Sequence, residues 1–479
     1  MSGNTQHDVL VIGGGPAGSA AAAALAREGL KVRLVERAHF PRYHIGESLT
    51  PSCRTVLGAI GIAEALDTHG FVLKYGGAIR WDDDAWFFDW GQMGVNSWQV
   101  DRAEFDQLLL DHARASGADV TMGVTARSVS FEQGRPTAVT CVPDDGEPYV
   151  IDGFRYLIDA TGRAGLLSVR HLDTRHPEPT LRNIAIWSYW RGAAALPDTP
   201  KGGINIISSP AGWYWIIPLA GDRASIGFVT RKDWFAERRQ AFESADAMYR
   251  ALIDESSAVR ALLDDAEYLG PVRVETDYSY AAEQFCGPGY MLVGDAACFL
   301  DPLLSTGVHL ALYSAINAAA GIASVHRGEV TEEAANNYFE YAFRRGYTRL
   351  FALVSVMYQR YLGKDGFFRL SDVLAGATSG MGDGNLDPPS SESFAEIISG
   401  LSDLREAGDA STRVLTERLL GEALGAQRQA MAASNPRMPD FSSVLENPLR
   451  DAESVQYRLV TAPRLGLERI TTVPAEPAA

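Results

Sequence analysis

The apolar run His7–Ile12 is short and β-branched, and it predicts a strand buried on both faces. The glycine-rich turn Gly13–Gly18 follows. Ser19–Gly29 is then Ala-rich and reads as a helix, with Gly29 at its C-cap, and Lys31–Glu36 reads as a second strand, completing a βαβ unit. Further on, 104–115 reads as a helix and Ala118–Val124 as a strand, with more strands in Ser128–Thr140 and Tyr149–Ala160. Between about 183 and 231 the period changes to two, through Asn183–Trp190, Ile204–Ile207, Trp213–Ile217 and Ala224–Val229. That alternation predicts an antiparallel sheet inserted into the first domain. The charged segment 233–265 reads as helical, and Tyr290–Asp295 returns to a buried strand. Helices follow over 307–325 and 331–363. Gly376–Ser391 reads as a mobile loop, 393–406 and 411–433 as helices, and the Pro-rich tail from Asn435 as irregular.

Composition narrows the function classes. The 479 residues carry 43 Lys and Arg against 60 Asp and Glu, a net charge of −17. This acidity argues against nucleic-acid binding and against docking on an anionic membrane. No run approaches 18 consecutive apolar residues, and the polar N-terminus lacks a signal-peptide pattern. The four cysteines have no metal spacing and the histidines are scattered, so free thiols in a reducing cytoplasm and no metal are expected.

Gly13-x-Gly15-x-x-Gly18 lies between a strand and a helix, where a dinucleotide pyrophosphate can meet the helix N-terminus with Ala17 in the first turn. Glu36, with Arg37 after it, closes the next strand where an acid accepts hydrogen bonds from a ribose. Arg102 opens a predicted helix near this loop, and Asp159–Gly162 ends a strand. Asp295, in Gly294–Ala297, ends another. In this order the segments resemble the FAD-dependent monooxygenase fold of the aromatic hydroxylases. No second GxGxxG follows a strand, so the reductant is expected as flavin reduced elsewhere.

Four further segments carry a narrower resemblance: Gly212–Pro218 with its Trp-x-Trp-x-Ile-Pro pattern, Phe71–Ala78, Asp301–Leu310 and Phe40–Leu49. Over roughly residues 8–345 they are similar to the flavin-dependent halogenases, closer to the phenol and pyrrole halogenases than to the larger tryptophan halogenases. The resemblance implies an α/β Rossmann-like FAD domain of the aromatic-hydroxylase type, an inserted antiparallel substrate sheet and a helical C-terminal region. On this division the FAD domain takes 1–78, 101–182 and 276–345. The substrate sheet takes 79–100 and 183–275, and the helical region takes 346–479.

The resemblance also implies an activity: reduced FAD, dioxygen and chloride or bromide halogenate an electron-rich aromatic in natural-product biosynthesis. Hypohalous acid would pass to the substrate through Lys74. Gly13, Gly15, Ala17, Gly18, Glu36, Arg37, Glu47, Ser48, Arg102, Val124, Asp295, Pro302, Gly307 and Val308 would hold the cofactor. Ser305, Thr306 and Gly307 would hold the halide, because a helix-opening turn presents backbone N–H groups to an anion. Trp213, Trp215, Ile217 and Pro218 would separate the flavin from the organic substrate. The implied partners are a flavin reductase and a small aromatic molecule, free or tethered to a carrier protein. Arg344, Arg345 and Arg349 could serve such a carrier as a local basic patch, but by residue type they read first as a solvated helix face.

By residue type alone the same positions read differently. Lys74 is a solvated lysine at a strand edge. The tryptophans are core, Ser305 or Thr306 is a helix cap, and Glu47 and Ser48 belong to a turn. Two other functions share the flavin site: an aromatic hydroxylase, which needs no halide, and a flavin-binding partner without turnover.

Overall fold

The computed structural model describes residues 7–178, 181–276, 279–359, 391–408 and 456–470, with positions 364, 365, 368 and 371 in isolation. Val9–Ile12 runs at the centre of a six-stranded sheet. It pairs in parallel with Val32–Glu36 on one side and Tyr156–Asp159 on the other. Asp119–Met122 extends the first side and Tyr290–Leu292 the second, and the short antiparallel strand Cys286–Gly287 closes the edge. Strands covered on both faces need no polar alternation, which is why Val9–Ile12 is wholly apolar. Helix Pro16–Arg27 packs on helix Gly307–His326, and that helix packs on Glu332–Gln359.

Helix Gly307–His326 is long and apolar enough to cross a membrane, with a mean hydropathy of 1.4 over its best window, but every residue of that window is buried in the protein. It is a core helix.

The second sheet runs in the order Glu267–Tyr268, Asn183–Arg191, Arg223–Arg231, Gly212–Leu219, Ile204–Ser209, Gly76–Trp81, Asp84–Asp89, with Arg273–Thr276 also on Asn183–Arg191. It differs from expectation in two ways. Ile204–Ser209 pairs with Gly76–Trp81 in parallel, so the sheet is mixed. The strand also begins before residue 79: Tyr75 already accepts from Trp90 N–H and donates to the Lys201 carbonyl. Along Gly212–Leu219 the period of two separates two cores. Trp213, Trp215, Ile217 and Leu219 join the main core, while Tyr214 and Ile216 pack with Tyr249, Leu252 and Ile253 of helix Ala245–Glu255.

Other runs resolve more finely than the sequence pattern. The 128–140 run is part of a hairpin, Val124–Glu132 against Arg135–Pro143. The 149–160 run splits at Gly153 between two sheets. The 233–265 segment is three helices, Lys232–Arg239, Ala245–Glu255 and Ser257–Ala261, the last two capped by the hydroxyls of Ser244 and Ser256.

The predicted helix over 393–406 is a pair, Ser391–Ser399 and Leu401–Gly408. The loop at 376–390 and the helix at 411–433 lie outside the described residues. The tail is not irregular throughout. Tyr457–Val460 and Gly466–Arg469 form a hairpin on helix Gly307–His326, burying Leu459, Leu465 and Leu467 and donating from Leu467 N–H to Ser324. All four cysteines are free and buried.

Candidate active site

A cavity of about 590 Å³ opens between the six-stranded sheet and the second sheet. The glycine loop forms one end. A Cβ on Gly13 would stand 2.2 Å from the Ala160 carbonyl, and one on Gly18 would stand 1.9 Å from the Gly13 carbonyl. Those two glycines are required by packing. At Gly15 a Cβ would come no closer than 3.4 Å to Arg42, so the space it leaves belongs to the cavity. Helix Pro16–Arg27 starts there with no side-chain cap, leaving its first N–H groups and positive dipole end toward that space. Glu36 accepts from Gly14 N–H at 2.6 Å and Ala38 N–H at 2.8 Å, which holds its carboxylate at the cavity wall.

The middle of the wall includes Ala17, Arg37, Val124, Arg102 and Asp295. The Arg102 guanidinium binds both oxygens of Asp106 and the carbonyls of Ile45 and Gly46, which ties the 45–48 segment to its helix. Burial pushes the Asp295 carboxyl up to about 6. Gly18 lies behind the wall, in keeping with its packing role.

Glu47, Ser48, Pro302, Ser305, Gly307 and Val308 also line the cavity, as do Trp187, Trp215 and Ile217. Ser305 holds a left-handed φ of 58°, which turns the chain into helix Gly307–His326. Thr306 is buried behind this turn and its Oγ1 has no hydrogen-bond partner.

The tryptophan pair divides its work. The Trp215 indole reaches the cavity and lies over Gly227, where a Cβ would meet it at 2.1 Å. Trp213 does not line the cavity. Its Nε1 donates to the Tyr358 hydroxyl at 2.6 Å, and that hydroxyl donates to Asp301. Trp213 therefore braces the turn that leads to Ser305. Pro218 is also off the wall.

Lys74 is not a solvated edge lysine. It is 1% exposed, and its Nζ donates to Ser48 Oγ at 2.7 Å and to the Leu49 carbonyl at 3.1 Å. The Trp90 ring lies on its other side, with its centroid 4.9 Å from Nζ. Burial pushes the amine down to about 7. Lys74 does not line the cavity, so Ser48 stands between the two.

The arginines read as a surface patch are spent internally. Arg349 is buried and pairs with Asp403 and Glu406, Arg345 pairs with Glu406, and Arg344 with Glu340. The sequence reading passed over this network. His309 joins it: its Nε2 meets Asp403 at 2.8 Å and its Nδ1 meets Ser52 Oγ at 2.8 Å. It also passed over Tyr43, Trp187 and Tyr189. Tyr43 lies inside the quoted 40–49 segment, and Trp187 and Tyr189 share one face of an alternating strand.

Comparison with known proteins gives the family. A model of the FAD binding domain family matches residues 6–346. The chain is 38% identical over 405 residues to a tryptophan 2-halogenase of Chondromyces crocatus, covering 84% of this chain and 77% of that protein. It is 38% identical over 400 residues to a sulochrin halogenase of Aspergillus terreus, covering 78% and 73%. The chain belongs to the flavin-dependent halogenases. Among solved structures, the myxobacterial chondrochloren halogenase superposes with a TM-score of 0.70 at 29% identity, covering 83% of this chain and 96% of that one. The flavin-dependent brominase Bmp2 gives 0.74 at 25%, covering 88% and 99%.

The residues of this halogenase fit FAD on their own terms. The open space at Gly15 under an uncapped helix suits a pyrophosphate, and the cavity continues past Asp295 to the apolar wall of Trp187, Trp215 and Ile217.

Proposed function

We propose that this halogenase transfers chloride or bromide to an electron-rich ring, a phenol or a pyrrole, and that Lys74 passes the oxidised halogen from the cofactor cavity to that ring. FAD, when bound and reduced by a separate flavin reductase, would supply two electrons to dioxygen, and the partly reduced oxygen takes two more from halide to give hypohalous acid. Gly13, Gly15, Ala17, Gly18, Glu36, Arg37, Arg102, Val124 and Asp295 bind and orient the cofactor. Ser305 and Gly307, with Pro302 and Val308 beside them, offer a halide position at the helix start. Thr306 supports it from behind with a buried hydroxyl that has no other partner.

One observation carries the reading. The Lys74 amine is enclosed between Ser48, a wall residue of the cavity, and the Trp90 ring. A buried amine at about 7 is about half neutral near pH 7, so a neutral fraction is present that can hydrogen-bond hypohalous acid or take halogen as a haloamine. Transfer then converts HOX and R–H into R–X and water. Phe88 packs edge-on to Phe394 of the C-terminal helix pair and against Trp90, which gives the far side an aromatic wall. A phenol or pyrrole reacts with so weak an electrophile without further activation. The free small molecule is favoured over a carrier-bound one, because the basic cluster that would meet an acidic carrier is internally paired. The location proposed is the cytoplasm.

Mass spectrometry of products from phenol and pyrrole probes, with flavin reductase, NADH and dioxygen, tests this. Halogenated product that appears only with halide supports it. Oxygenated product without halide would establish a hydroxylase. Lys74→Ala should bind FAD and consume reduced flavin yet give no halogenated product, and normal halogenation by that variant would remove the lysine from the mechanism.

A further inference from the structure

Halogenation has a proton requirement that follows from its stoichiometry. Reduced FAD, dioxygen, halide, one proton and R–H give FAD, R–X and two waters. One proton must therefore reach the cofactor cavity at each turnover. We propose that Tyr43, Tyr189 and Glu47 form the path by which it enters, with Glu47 as the group that delivers it into the cofactor cavity. This rests on the halogenase reading above.

The geometry fixes the direction of the chain. Tyr189 donates its hydroxyl proton to Glu47 Oε1 at 2.7 Å. The Tyr43 hydroxyl lies 2.9 Å from the Tyr189 hydroxyl. Because the Tyr189 proton is committed to Glu47, that contact runs from Tyr43 to Tyr189. Trp187 Nε1 donates to Tyr43 at 2.9 Å, which occupies a Tyr43 acceptor position and holds the ring. Tyr43 is 43% exposed and stands at the cavity rim, and the Arg273 guanidinium covers its ring at 3.7 Å.

At the inner end, Glu47 is buried in the cavity wall and its Oε2 has no hydrogen-bond partner. A carboxyl oxygen left unpaired in a buried wall is costly unless it is protonated or serves a ligand. When Oε2 gives up its proton, Tyr189 protonates Oε1, Tyr43 protonates Tyr189, and water at the rim restores Tyr43. Rotation of the carboxyl group returns the proton to the cavity side, and rotation of the two tyrosine O–H bonds resets the chain. No bond other than O–H forms or breaks along the path.

The other groups that act on Glu47 are Asp101, Arg102 and the Ser225 hydroxyl. Burial, helped by the Asp101 charge, outweighs Arg102 and the hydroxyls of Tyr189 and Ser225 and pushes the carboxyl up to about 7, so at neutral pH both protonation states are populated. A proton donor is most effective when its pKa lies near the working pH.

Infrared spectroscopy of the flavin-free protein tests the donor directly. A carboxylic C=O band should titrate with a midpoint near neutrality and be absent in Glu47→Gln. Tyr189→Phe should move that midpoint upward, since it removes a donor to the carboxylate. Kinetics then test the path at saturating FAD and reduced flavin. Glu47→Gln should lower kcat on the order of 10²-fold with little change in the KM for halide. Tyr43→Phe and Tyr189→Phe should lower kcat by about tenfold and recover with a small added acid such as imidazolium. The proposal is overturned if no Glu47-dependent band titrates, or if both phenylalanine variants keep the wild-type rate and pH profile. Failure of the wild-type protein to halogenate would strike the halogenase reading instead, because the infrared result does not depend on turnover.

Discussion

Lys74 Nζ and Ser48 Oγ lie 2.7 Å apart, with the serine on the cavity wall and the lysine behind it. This hydrogen bond connects the cavity wall to the amine that is proposed to receive halogen. Ser48→Ala would remove it while leaving the glycine loop untouched. Loss of a buried charge-assisted partner should destabilise the protein by about 1–3 kcal/mol, and halogenation should fall while FAD affinity holds. Thermal melts and flavin fluorescence titration, set beside product yield, separate the three effects.

Lys74 also links stability to pH. Its ordinary value of 10.5 falls to about 7 on burial, so the unfolded chain binds this proton more tightly than the folded one. Between those values the unfolded state holds more protons, and the lysine's contribution to stability rises with pH. Lys74→Met lacks this dependence. Denaturant unfolding of both proteins at pH 6.5 and pH 9.5 should show the wild type gaining on the variant at the higher pH; parallel curves would mean that the lysine is not desolvated.

Two glycines of one motif should respond in opposite ways. Gly18→Ala places a methyl 1.9 Å from the Gly13 carbonyl, so the loop must shift and the folded protein should lose stability. Gly15→Ala meets nothing closer than 3.4 Å and should fold normally, but its methyl enters the space proposed for the pyrophosphate. We expect Gly15→Ala to keep its melting temperature and lose FAD affinity, as read by calorimetry and flavin titration.

Arg349 is buried between Asp403 and Glu406, and Asp403 also holds His309. Arg349→Met would leave two buried carboxylates short of a counter-charge, which typically costs 3–5 kcal/mol. Because these carboxylates lie on helix Leu401–Gly408, hydrogen exchange should accelerate first in that helix. Arg349 also holds the Asp403 carboxyl below its ordinary value, so that stabilisation is present above the unfolded value of 3.8 and is lost as pH falls through the folded one.

How much was legible in the chain differs from element to element. The βαβ unit was plain because a buried parallel strand, a glycine turn and an Ala-rich helix each leave a local signature, and Glu36 followed at the expected distance. The alternation of Trp213 and Trp215 placed both on one side of a strand. It could not show that Trp213 is drawn to Tyr358, 145 residues away, while Trp215 reaches the cavity. The tail hairpin at 457–469 was hidden because its alternation is short and its surroundings are rich in proline.

Local periodicity and the spacing of glycines and acids were enough to determine the nucleotide-binding unit and the alternating strands of the second sheet, because those properties repeat over a few residues; the halogenase segments were legible only as a resemblance of motifs. Only the tertiary structure decided that Lys74 is enclosed, that Arg349 is an internal counter-ion, and that Tyr43 meets Tyr189 across 146 residues of chain. Burial and long-range hydrogen bonding depend on which distant surfaces pack together, and no short window of sequence contains that information.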